Sequence, residues 1–419
     1  MVKFSNFFNR IHQVKVLVIG DLILDQYTYG QTSRISPEAP VPVMQVMKEE
    51  NLPGGAGNVA LNLQALGAQV ILLSRIGNDR AGIQLKDSLT VKKVTTDYVF
   101  CQRNWQTSHK TRVIAANQQL LRIDYEEIKA IDEHLEDTII THLPTLLQNI
   151  DIIAISDYGK GFLTDTLLSS IIQLGKQKNI PIIVDPKGAD FSKYYGATII
   201  KPNRLEAYKA ANCSMHIPLE TVAKKLLSQS NAEHIVITLS EEGISYFSQS
   251  GASGNTSAKV REVKDVTGAG DTVLAALTFA LANKLNLEDS LRFANLCAGV
   301  AVEHIGCVNV NLAQVVIHML KENIISKVFN NEHNYLLKAI VRSVEYQVII
   351  LEEEKLSIDL AEKIENINQT PIFPFFYVKD GKEKNEFVYL LSFLIKEGII
   401  LTSEEAFSMV NKTSDQLMT

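Results

Sequence analysis

The stretch Asp-Val-Thr-Gly-Ala-Gly-Asp-Thr, residues 265–272, runs directly into the apolar segment 273–281. Its glycines, Gly268 and Gly270, allow the backbone to turn tightly with its N–H groups pointing outward. The apolar segment predicts a helix, and these N–H groups lie at its N-terminus, where anions are favoured. The stretch therefore predicts an anion hole for a transferring phosphoryl group.

Asp271 lies in the first turn of this predicted helix. From there its carboxylate can take a proton from a substrate hydroxyl, as a general base does in phosphoryl transfer. The alternative is structural, because Asp is a common helix-capping residue. Asp271 is therefore a candidate catalytic base whose alternative role is that of a helix cap.

Short apolar runs rich in Ile and Val alternate with helix-length amphipathic segments. This alternation is typical of a parallel sheet with helices on both faces, so it predicts an α/β fold. Ligands of such sheets bind beyond the carboxyl ends of the strands, which makes the polar residues that follow each strand functional candidates. The predicted strands are residues 15–19, 69–74, 150–156, 180–185, 198–201 and 234–239, and the predicted helices are residues 56–66, 163–176, 205–211 and 219–228.

Two regions interrupt the alternation, residues 27–47 and residues 100–125. The first contains the Pro-rich stretch 36–42, and the second has period-2 patterns such as residues 109–114. Period-2 patterning predicts strands. We therefore expect antiparallel strands outside the main sheet, forming a small flap over the site or a contact between subunits. Open edges on such strands favour a homodimer.

The composition is that of a soluble globular protein, with 46% hydrophobic and 21% charged residues. A formal net charge of −6 argues against nucleic-acid binding, which needs a basic face. The four cysteines show no CxxC spacing, which argues against a disulfide framework or a zinc site. Residues 1–14 lack the apolar core of a signal peptide, and no apolar run is long enough for a transmembrane helix. We therefore expect a cytoplasmic protein without a membrane partner.

Polar residues follow the predicted strand 198–201. Asn203 and Glu206 are three residues apart and share one helical face. An amide and a carboxylate there can hold Mg²⁺ through water and orient phosphates. Alternatively the pair forms a capping box, in which Glu206 folds back on the backbone N–H of Asn203. Lys201 either reaches a phosphate or carries a solvated charge at the strand end.

The N-terminal part of the chain offers acceptors and amides suited to sugar hydroxyls. Asp25 follows the first predicted strand, and Gly54, Gly55 and Asn58 lie at the start of a predicted helix. The simpler interpretation is that the glycines form a turn and that Asn58 is a polar residue at a helix N-terminus. Both interpretations stay open on these residues alone.

Taken together, these segments resemble the ribokinase (PfkB-type) family of sugar kinases. The Gly-Gly segment with Asn58, the Asn203-x-x-Glu206 motif and the glycine turn with Asp271 occur in the family's order and spacing over about residues 14–310. The resemblance implies a ribokinase-like parallel-sheet sandwich with a small β flap. It also implies phosphorylation of a sugar hydroxyl by ATP with Mg²⁺.

Further segments are similar to one branch of this family, the D-glycero-β-D-manno-heptose-7-phosphate kinases. This similarity implies transfer to the anomeric C1 hydroxyl, which gives the 1,7-bisphosphate in ADP-heptose biosynthesis for the lipopolysaccharide core. Two alternatives remain: a kinase for another sugar phosphate or a nucleoside, and a non-catalytic regulator that binds a sugar or a nucleotide. The segments are residues 32–42, 117–124, 156–161 and 185–188.

The family resemblance implies roles for individual residues. Asp271 is then the base, and Glu206 is a candidate for holding Mg²⁺ through water. The backbone oxygens of Asp265 and Thr267 are candidates for holding a monovalent cation such as K⁺. The implied anion hole is Gly268, Ala269 and Gly270; the residues implied near ATP are Lys201, Asn203, Arg204, Leu205, Glu206, Ser240, Glu242, Gly243 and Asn295; those implied near the sugar are Asp25, Gly54, Gly55 and Asn58.

A 7-phosphate needs positive charge, and Arg suits bidentate phosphate contacts. The candidates are Arg34, Lys110, Arg112 and Lys187. Each of them has the alternative role of a solvated surface charge, because most Lys and Arg side chains are exposed.

The chain departs after about residue 315 from the bifunctional members of this branch, which join the kinase to an adenylyltransferase. A nucleotidyltransferase half would need an HxGH-type segment, but the histidines in this part, His318 and His333, do not form one. We therefore expect a kinase domain at residues 1–315 and a mainly helical region of unknown function at residues 316–419. Adenylyltransferase activity is not expected.

Overall fold

The computed structural model of the chain describes residues 11–116, 118–257, 263–304, 306–321, 326–352, 356–379 and 385–417. Most of the N-terminal segment 1–14, and Asn117 at the start of one segment quoted above, lie outside the described residues. The chain divides into two compact units, Gln13–Asn309 and a second that contains the chain from Val310 onward. This division falls close to the change in sequence pattern near residue 315.

The unit Gln13–Asn309 contains thirteen described strands. They are β1 (Lys15–Gly20), β2 (Leu22–Ile35), β3 (Pro42–Gly55), β4 (Gln69–Gly77), β5 (Thr95–Gln102), β6 (His109–Ala115), β7 (Gln118–Tyr125), β8 (Ile152–Ser156), β9 (Ile182–Asp185), β10 (Ile199–Ile200), β11 (His234–Thr238), β12 (Ile244–Ser248) and β13 (Ser253–Thr256).

Nine of these strands form the main sheet, in the order β13-β12-β11-β10-β9-β8-β1-β4-β5. Pairing is parallel from β11 to β5, and β12 and β13 extend one edge as an antiparallel ladder. The predicted parallel α/β sheet is thus confirmed. Because β1, β8, β9 and β10 are neighbours in this order, the residues that follow their carboxyl ends meet at one edge of the sheet.

Helices cover both faces of the main sheet. Successive side chains of a strand point to opposite faces. Because four consecutive residues of β1, Val16 to Ile19, are all fully buried, both faces of the sheet are covered. The described helices of this unit are α1 (Ala56–Ala65), α2 (Arg80–Val91), α3 (Glu133–Leu146), α4 (Asp165–Gln177), α5 (Arg204–Ala210), α6 (Leu219–Ser230), α7 (Ala269–Ala282) and α8 (Leu287–Val302), with short 3-10 turns at Ser192–Tyr194 and Ser240–Glu242.

The predicted flap is a separate four-stranded sheet in the order β3-β2-β6-β7. Its outer pairs are antiparallel, but β2 and β6 pair in parallel, so the expectation of purely antiparallel strands was wrong. The second flap segment begins at His109 rather than at residue 100, because Phe100 belongs to β5 at the edge of the main sheet. A half-buried edge strand has the same period-2 pattern as a flap strand, so the sequence did not separate the two.

The second unit contains a four-stranded parallel sheet in addition to the predicted helices. Its strands are β14 (Val328–Phe329), β15 (Tyr346–Leu351), β16 (Phe373–Val378) and β17 (Ile399–Leu401), and its described helices are α9 (Leu312–Lys321), α10 (Asn334–Val341), α11 (Ile358–Ile367), α12 (Asn385–Leu394) and α13 (Glu404–Leu417), with a 3-10 turn at Asn331–His333. The strand order is β14-β17-β16-β15. The sequence did not predict this sheet, because periodicity does not distinguish a short apolar strand from a buried helical segment.

Within the part of the chain that the structure describes, every helix is too short or too polar to cross a membrane.

Candidate active site

The glycine turn opens α7 as the sequence predicts. Gly268 is the N-cap of this helix and has φ 75° and ψ 0°, in the left-handed region that favours glycine. A Cβ atom at Gly268 would lie 2.7 Å from Nδ2 of Asn58. The position therefore requires glycine both for its backbone conformation and for the close approach of Asn58.

The Asp271 carboxylate is buried in the first turn of α7, with 4% of the residue exposed. Its Oδ2 accepts a hydrogen bond of 2.9 Å from Nδ2 of Asn58. Its Oδ1 accepts one of 2.7 Å from the phenol of Tyr158. The N-cap of the helix is Gly268, with no side-chain capping bond, so Asp271 does not act as the cap.

Burial raises the pKa of Asp271 to about 7. The hydrogen bonds from Asn58 and Tyr158 and the charge of Lys201 act in the opposite direction, while the Asp185 carboxylate adds to the rise. The desolvation of the charged form outweighs the two donors. A carboxylate with a pKa near neutrality can accept a proton from a hydroxyl and release it again at the pH of a cell.

An ion pair between a buried lysine and a half-buried aspartate lies beside the glycine turn. Nζ of Lys201, at the end of β10, is 3.0 Å from Oδ2 of Asp185 at the end of β9. A Cβ atom at Gly270 would lie 3.9 Å from Asp185 Oδ2 and 4.0 Å from Lys201 Nζ. Lys201 is 2% exposed, so the alternative of a solvated charge at the strand end is wrong.

Asn203 and Glu206 form the capping box of α5. Asn203 Oδ1 accepts from the backbone N–H of Glu206 at 2.9 Å, and Glu206 Oε2 accepts from the backbone N–H of Asn203 at 3.1 Å. Glu206 Oε1 also accepts from Nζ of Lys187 at 3.0 Å. The structural alternative for this motif is therefore present, and contact with ATP phosphates through the same groups stays a prediction.

The other residues implied near ATP have varied surroundings. Arg204 forms an ion pair of 2.6 Å with Glu242, and both side chains are exposed, as is Leu205. Ser240 and Gly243 bracket a tight turn with φ of 54° and 94°. Nδ2 of Asn295 donates to the backbone oxygen of Thr256 at 2.8 Å and to its hydroxyl at 2.9 Å. In the described part of the chain no hydrogen bond or ion pair joins these residues to Asp271, so their assignment to ATP stays a prediction.

The residues implied near the sugar meet where the flap joins the main sheet. Nη1 of Arg112 on β6 lies 2.5 Å from Oδ1 of Asp25 on β2. A Cβ atom at Gly54 would lie 2.1 Å from Asp25 Oδ2, so glycine is needed beside this carboxylate. Gly55, with φ 57°, turns the chain into α1, which carries Asn58.

Most of the basic candidates for a 7-phosphate are already paired with carboxylates. Lys110 lies 3.2 Å from Asp124 and also contacts Glu126, and Lys187 is paired with Glu206 as described. Arg34 lies at the exposed end of β2.

The carboxylate of Asp265 fixes the loop that precedes the glycine turn. It accepts from the backbone N–H of Thr267 at 2.9 Å, from the Thr267 hydroxyl at 2.7 Å and from the backbone N–H of Gly306 at 2.9 Å. Burial acts to raise the pKa of Asp265, but these donors hold it below its usual value. A cation held by the backbone oxygens of Asp265 and Thr267 stays a prediction.

Tyr158 and Asp185 are the site residues whose roles the sequence did not predict. Tyr158 appeared only inside the branch segment 156–161, and Asp185 only as the end of the predicted strand 180–185 and the start of segment 185–188. The signal available in the sequence was position, since Asp185 ends one strand of the main sheet and Tyr158 lies two residues beyond the end of another. Their contacts with Asp271 and Lys201 depend on strand order, which local patterns do not reveal.

Sequence comparison identifies relatives for the first unit. Residues 13–314 match the pfkB family carbohydrate kinases. The chain is 44% identical over 314 residues to the bifunctional protein HldE of Trichlorobacter lovleyi and 43% identical over 302 residues to that of Aliarcobacter butzleri. These matches cover 74% and 72% of this chain but 64% and 63% of the relatives, so the chain spans less than two thirds of their length.

Structural comparison gives the same fold. Arabidopsis thaliana ribokinase, complexed with ribose and ATP, matches with a TM-score of 0.58 and 19% identity over 74% of this chain and 99% of that one. Phosphofructokinase-2 from Escherichia coli, in complex with potassium, matches with a TM-score of 0.60 and 19% identity over 73% of this chain and 97% of that one. The fold is ribokinase-like, and the family match covers most of the chain. This chain therefore belongs to the pfkB family of carbohydrate kinases.

Proposed function

We propose that this chain phosphorylates D-glycero-β-D-manno-heptose 7-phosphate at C1 with ATP, giving the 1,7-bisphosphate for ADP-heptose biosynthesis. The observation that carries the kinase chemistry is the buried Asp271 carboxylate behind a helix-opening glycine turn. The choice of acceptor is supported by the branch segments in the sequence and by relatives named HldE at 42–44% identity.

In the proposed reaction Asp271 accepts the proton of the sugar hydroxyl as its oxygen attacks the γ-phosphorus of ATP. The backbone N–H groups of residues 268–270 stabilise the negative charge on the transferring oxygens, although that of Ala269 also donates to the Val266 oxygen at 3.2 Å. Lys201, buried beside the turn, adds a positive charge on the same side. The flap limits access of water, which would otherwise compete with the sugar as the acceptor.

Mg²⁺ would neutralise charge on the ATP phosphates when it is bound. Among the described residues, no group of three or more His, Cys, Asp or Glu side chains is arranged to hold a metal ion. Both oxygens of Glu206 already accept hydrogen bonds, from Asn203 and Lys187. These residues fit an ion that is held mainly by ATP and water, with Glu206 contacting its water shell.

Arg112 is the strongest of the proposed contacts for the acceptor. Its pairing with Asp25 orients the guanidinium where flap and sheet meet, and the Tyr27 ring lies 5.1 Å below it. A guanidinium has five N–H donors, so Arg112 can keep Asp25 and still bind a phosphate or a sugar oxygen. Lys110 is balanced by two carboxylates and is less suited to that role.

The test is release of ADP with a panel of acceptors: the heptose 7-phosphate, other sugar phosphates, free sugars and nucleosides. We expect the heptose 7-phosphate to give the highest kcat/KM, and phosphorus NMR to show a new anomeric phosphate beside the retained 7-phosphate. A higher kcat/KM for a different acceptor would replace the proposed substrate while leaving the kinase assignment intact.

A further inference from the structure

We infer that Tyr158 is a positioning residue for the Asp271 base, holding one carboxylate oxygen while Asn58 holds the other. This inference rests on the role of Asp271 in the proposed function. Tyr158 itself lies outside the glycine turn and outside the segments implied near ATP.

The two donors reach the carboxylate from different parts of the fold. The Tyr158 phenol donates to Oδ1 at 2.7 Å from the loop after β8, and the Asn58 amide donates to Oδ2 at 2.9 Å from α1. One donor on each oxygen fixes the plane of the carboxylate relative to α7. Each oxygen keeps a further lone pair that can accept the proton of the sugar hydroxyl.

The backbone around Tyr158 is fixed by a buried carboxylate. Asp21, which is 3% exposed, accepts at Oδ2 from the backbone N–H of Tyr158 at 2.9 Å and of Lys160 at 3.1 Å. Its Oδ1 accepts from the backbone N–H of Phe162 at 3.3 Å. Three donors on one acid restrict this loop, so the position of the phenol is set by the end of β1.

A buried arginine secures the same loop from its other side. Nη2 of Arg75, which is 1% exposed, donates to the backbone oxygen of Lys160 at 2.7 Å. Its guanidinium stacks 4.1 Å above the Trp105 ring. A loop anchored by Asp21 and by Arg75 can place a side chain within the narrow tolerance that proton transfer needs.

The charged and titratable groups that face Asp271 are Tyr158, Asp185, Lys201 and Cys307. Burial and the nearby Asp271 charge raise the pKa of Tyr158 well above its ordinary value. The phenol therefore stays protonated and remains a donor across the range in which the base titrates. Loss of its hydrogen bond removes one of the two side-chain hydrogen bonds that, together with the charge of Lys201, favour the ionised base.

The test is Tyr158→Phe, which removes the hydroxyl and keeps the ring. We expect kcat to fall about tenfold, with the KM for ATP unchanged, because a hydrogen bond to a charged group contributes at that level. The acidic limb of the kcat/KM profile should move up by about 0.5–1 pH unit. Incorporation of 3,5-difluorotyrosine at position 158, a stronger donor, should move the limb down, and this variant serves if the Phe variant does not fold.

Tyr194→Phe is the matched control. Its phenol donates at 2.6 Å to Asp157, the residue before Tyr158, and does not contact Asp271. This variant should lower the melting temperature and leave the acidic limb in place. An equal shift of the limb in both variants would mean that loop disturbance is the cause, and the inference would be overturned.

The variant Asp271→Asn distinguishes failure of the positioning role of Tyr158 from failure of the proposed base. If Asp271→Asn is inactive while Tyr158→Phe matches the wild type in kcat and pH profile, the positioning role is wrong and the base stands. If Asp271→Asn retains turnover, the proposed base itself is wrong.

Discussion

The Asn58 amide donates a hydrogen bond of 2.9 Å to the Asp271 carboxylate, joining residues that are 213 positions apart in the chain. The orientation of this amide is fixed in turn, because its oxygen accepts from Nδ2 of Asn62 at 3.1 Å. A residue first predicted to contact the sugar therefore contacts the candidate base. The structure thereby links the N-terminal glycine segment to the glycine turn at the start of α7.

Asp271→Asn should lower kcat by about 10²–10⁴-fold, the usual contribution of a general base. The binding of ATP should change little, because the backbone of the turn and Lys201 remain. Steady-state kinetics together with calorimetric titration of ATP would measure both. A kcat within a factor of about three of the wild type would contradict the role of Asp271, since that is far below the expected contribution.

The activity should fall on the acidic side of neutrality. Because the pKa of Asp271 is raised to about 7, the ionised base disappears as the pH drops through this value. The value of kcat/KM should then decrease about tenfold per pH unit well below the pKa. Rates measured between about pH 5 and 9, at saturating ATP, would show this acidic limb of the pH profile. A limb centred near an ordinary carboxyl pKa of about 4 would argue against burial of the base.

The stability of the Asp271→Asn variant relative to the wild type should depend on pH. The folded-state pKa of Asp271, about 7, lies above the ordinary aspartate pKa of 3.8 that applies to the unfolded chain. Between these values the folded state binds a proton that the unfolded state lacks, so this group destabilises the fold progressively as the pH rises to about 7. Asn does not titrate, so the variant lacks this pH-dependent destabilisation. The difference in melting temperature, variant minus wild type, should therefore be a few degrees larger at pH 8 than at pH 5. A difference that is equal at both pH values would contradict the raised pKa.

The two glycines of the turn should respond in opposite ways to alanine. Gly268→Ala should lower the free energy of unfolding by about 1–2 kcal/mol or more, because a Cβ is disfavoured at positive φ. It would also press on the Asn58 amide, 2.7 Å away. Gly270→Ala is the control, since its Cβ would make only ordinary contacts and alanine favours the helix by about 0.5–1 kcal/mol. Denaturant unfolding of both variants would test this, and equal effects would contradict the assigned backbone geometry.

Lys187→Ala should weaken the binding of ATP more than the binding of the sugar phosphate. The sequence suggested Lys187 as a phosphate contact for the sugar, but its Nζ lies 3.0 Å from Glu206 in the segment implied near ATP. Because this pair is partly exposed, we expect the KM for ATP to rise about three- to tenfold. The matched control is Lys224→Ala, which removes a fully exposed pair with Glu220. A rise confined to the KM for the sugar phosphate would return Lys187 to its first predicted role.

The second unit shows the limit of predicting secondary structure from local sequence patterns. Its helices were predicted, but the sheet of β14 to β17 was not, although β16 consists of six consecutive buried residues. A short apolar run acquires its identity as a strand from its neighbours: Phe376 pairs with Ile349 on one side and Ile400 on the other. Such pairings are non-local, and the run itself does not specify them.

The sequence by itself determined the parallel α/β sheet, the turn at Gly268 and the place of Asp271 in the first turn of α7, because these depend on apolar runs, glycine conformations and short spacings. The tertiary structure decided which side chains meet. Asp271 lies 213 positions after Asn58 and 113 after Tyr158, and Asp25 and Arg112 are 87 apart. The order of strands in the sheet brings their ends together, and burial at that edge, which no local pattern records, raises the pKa of the base.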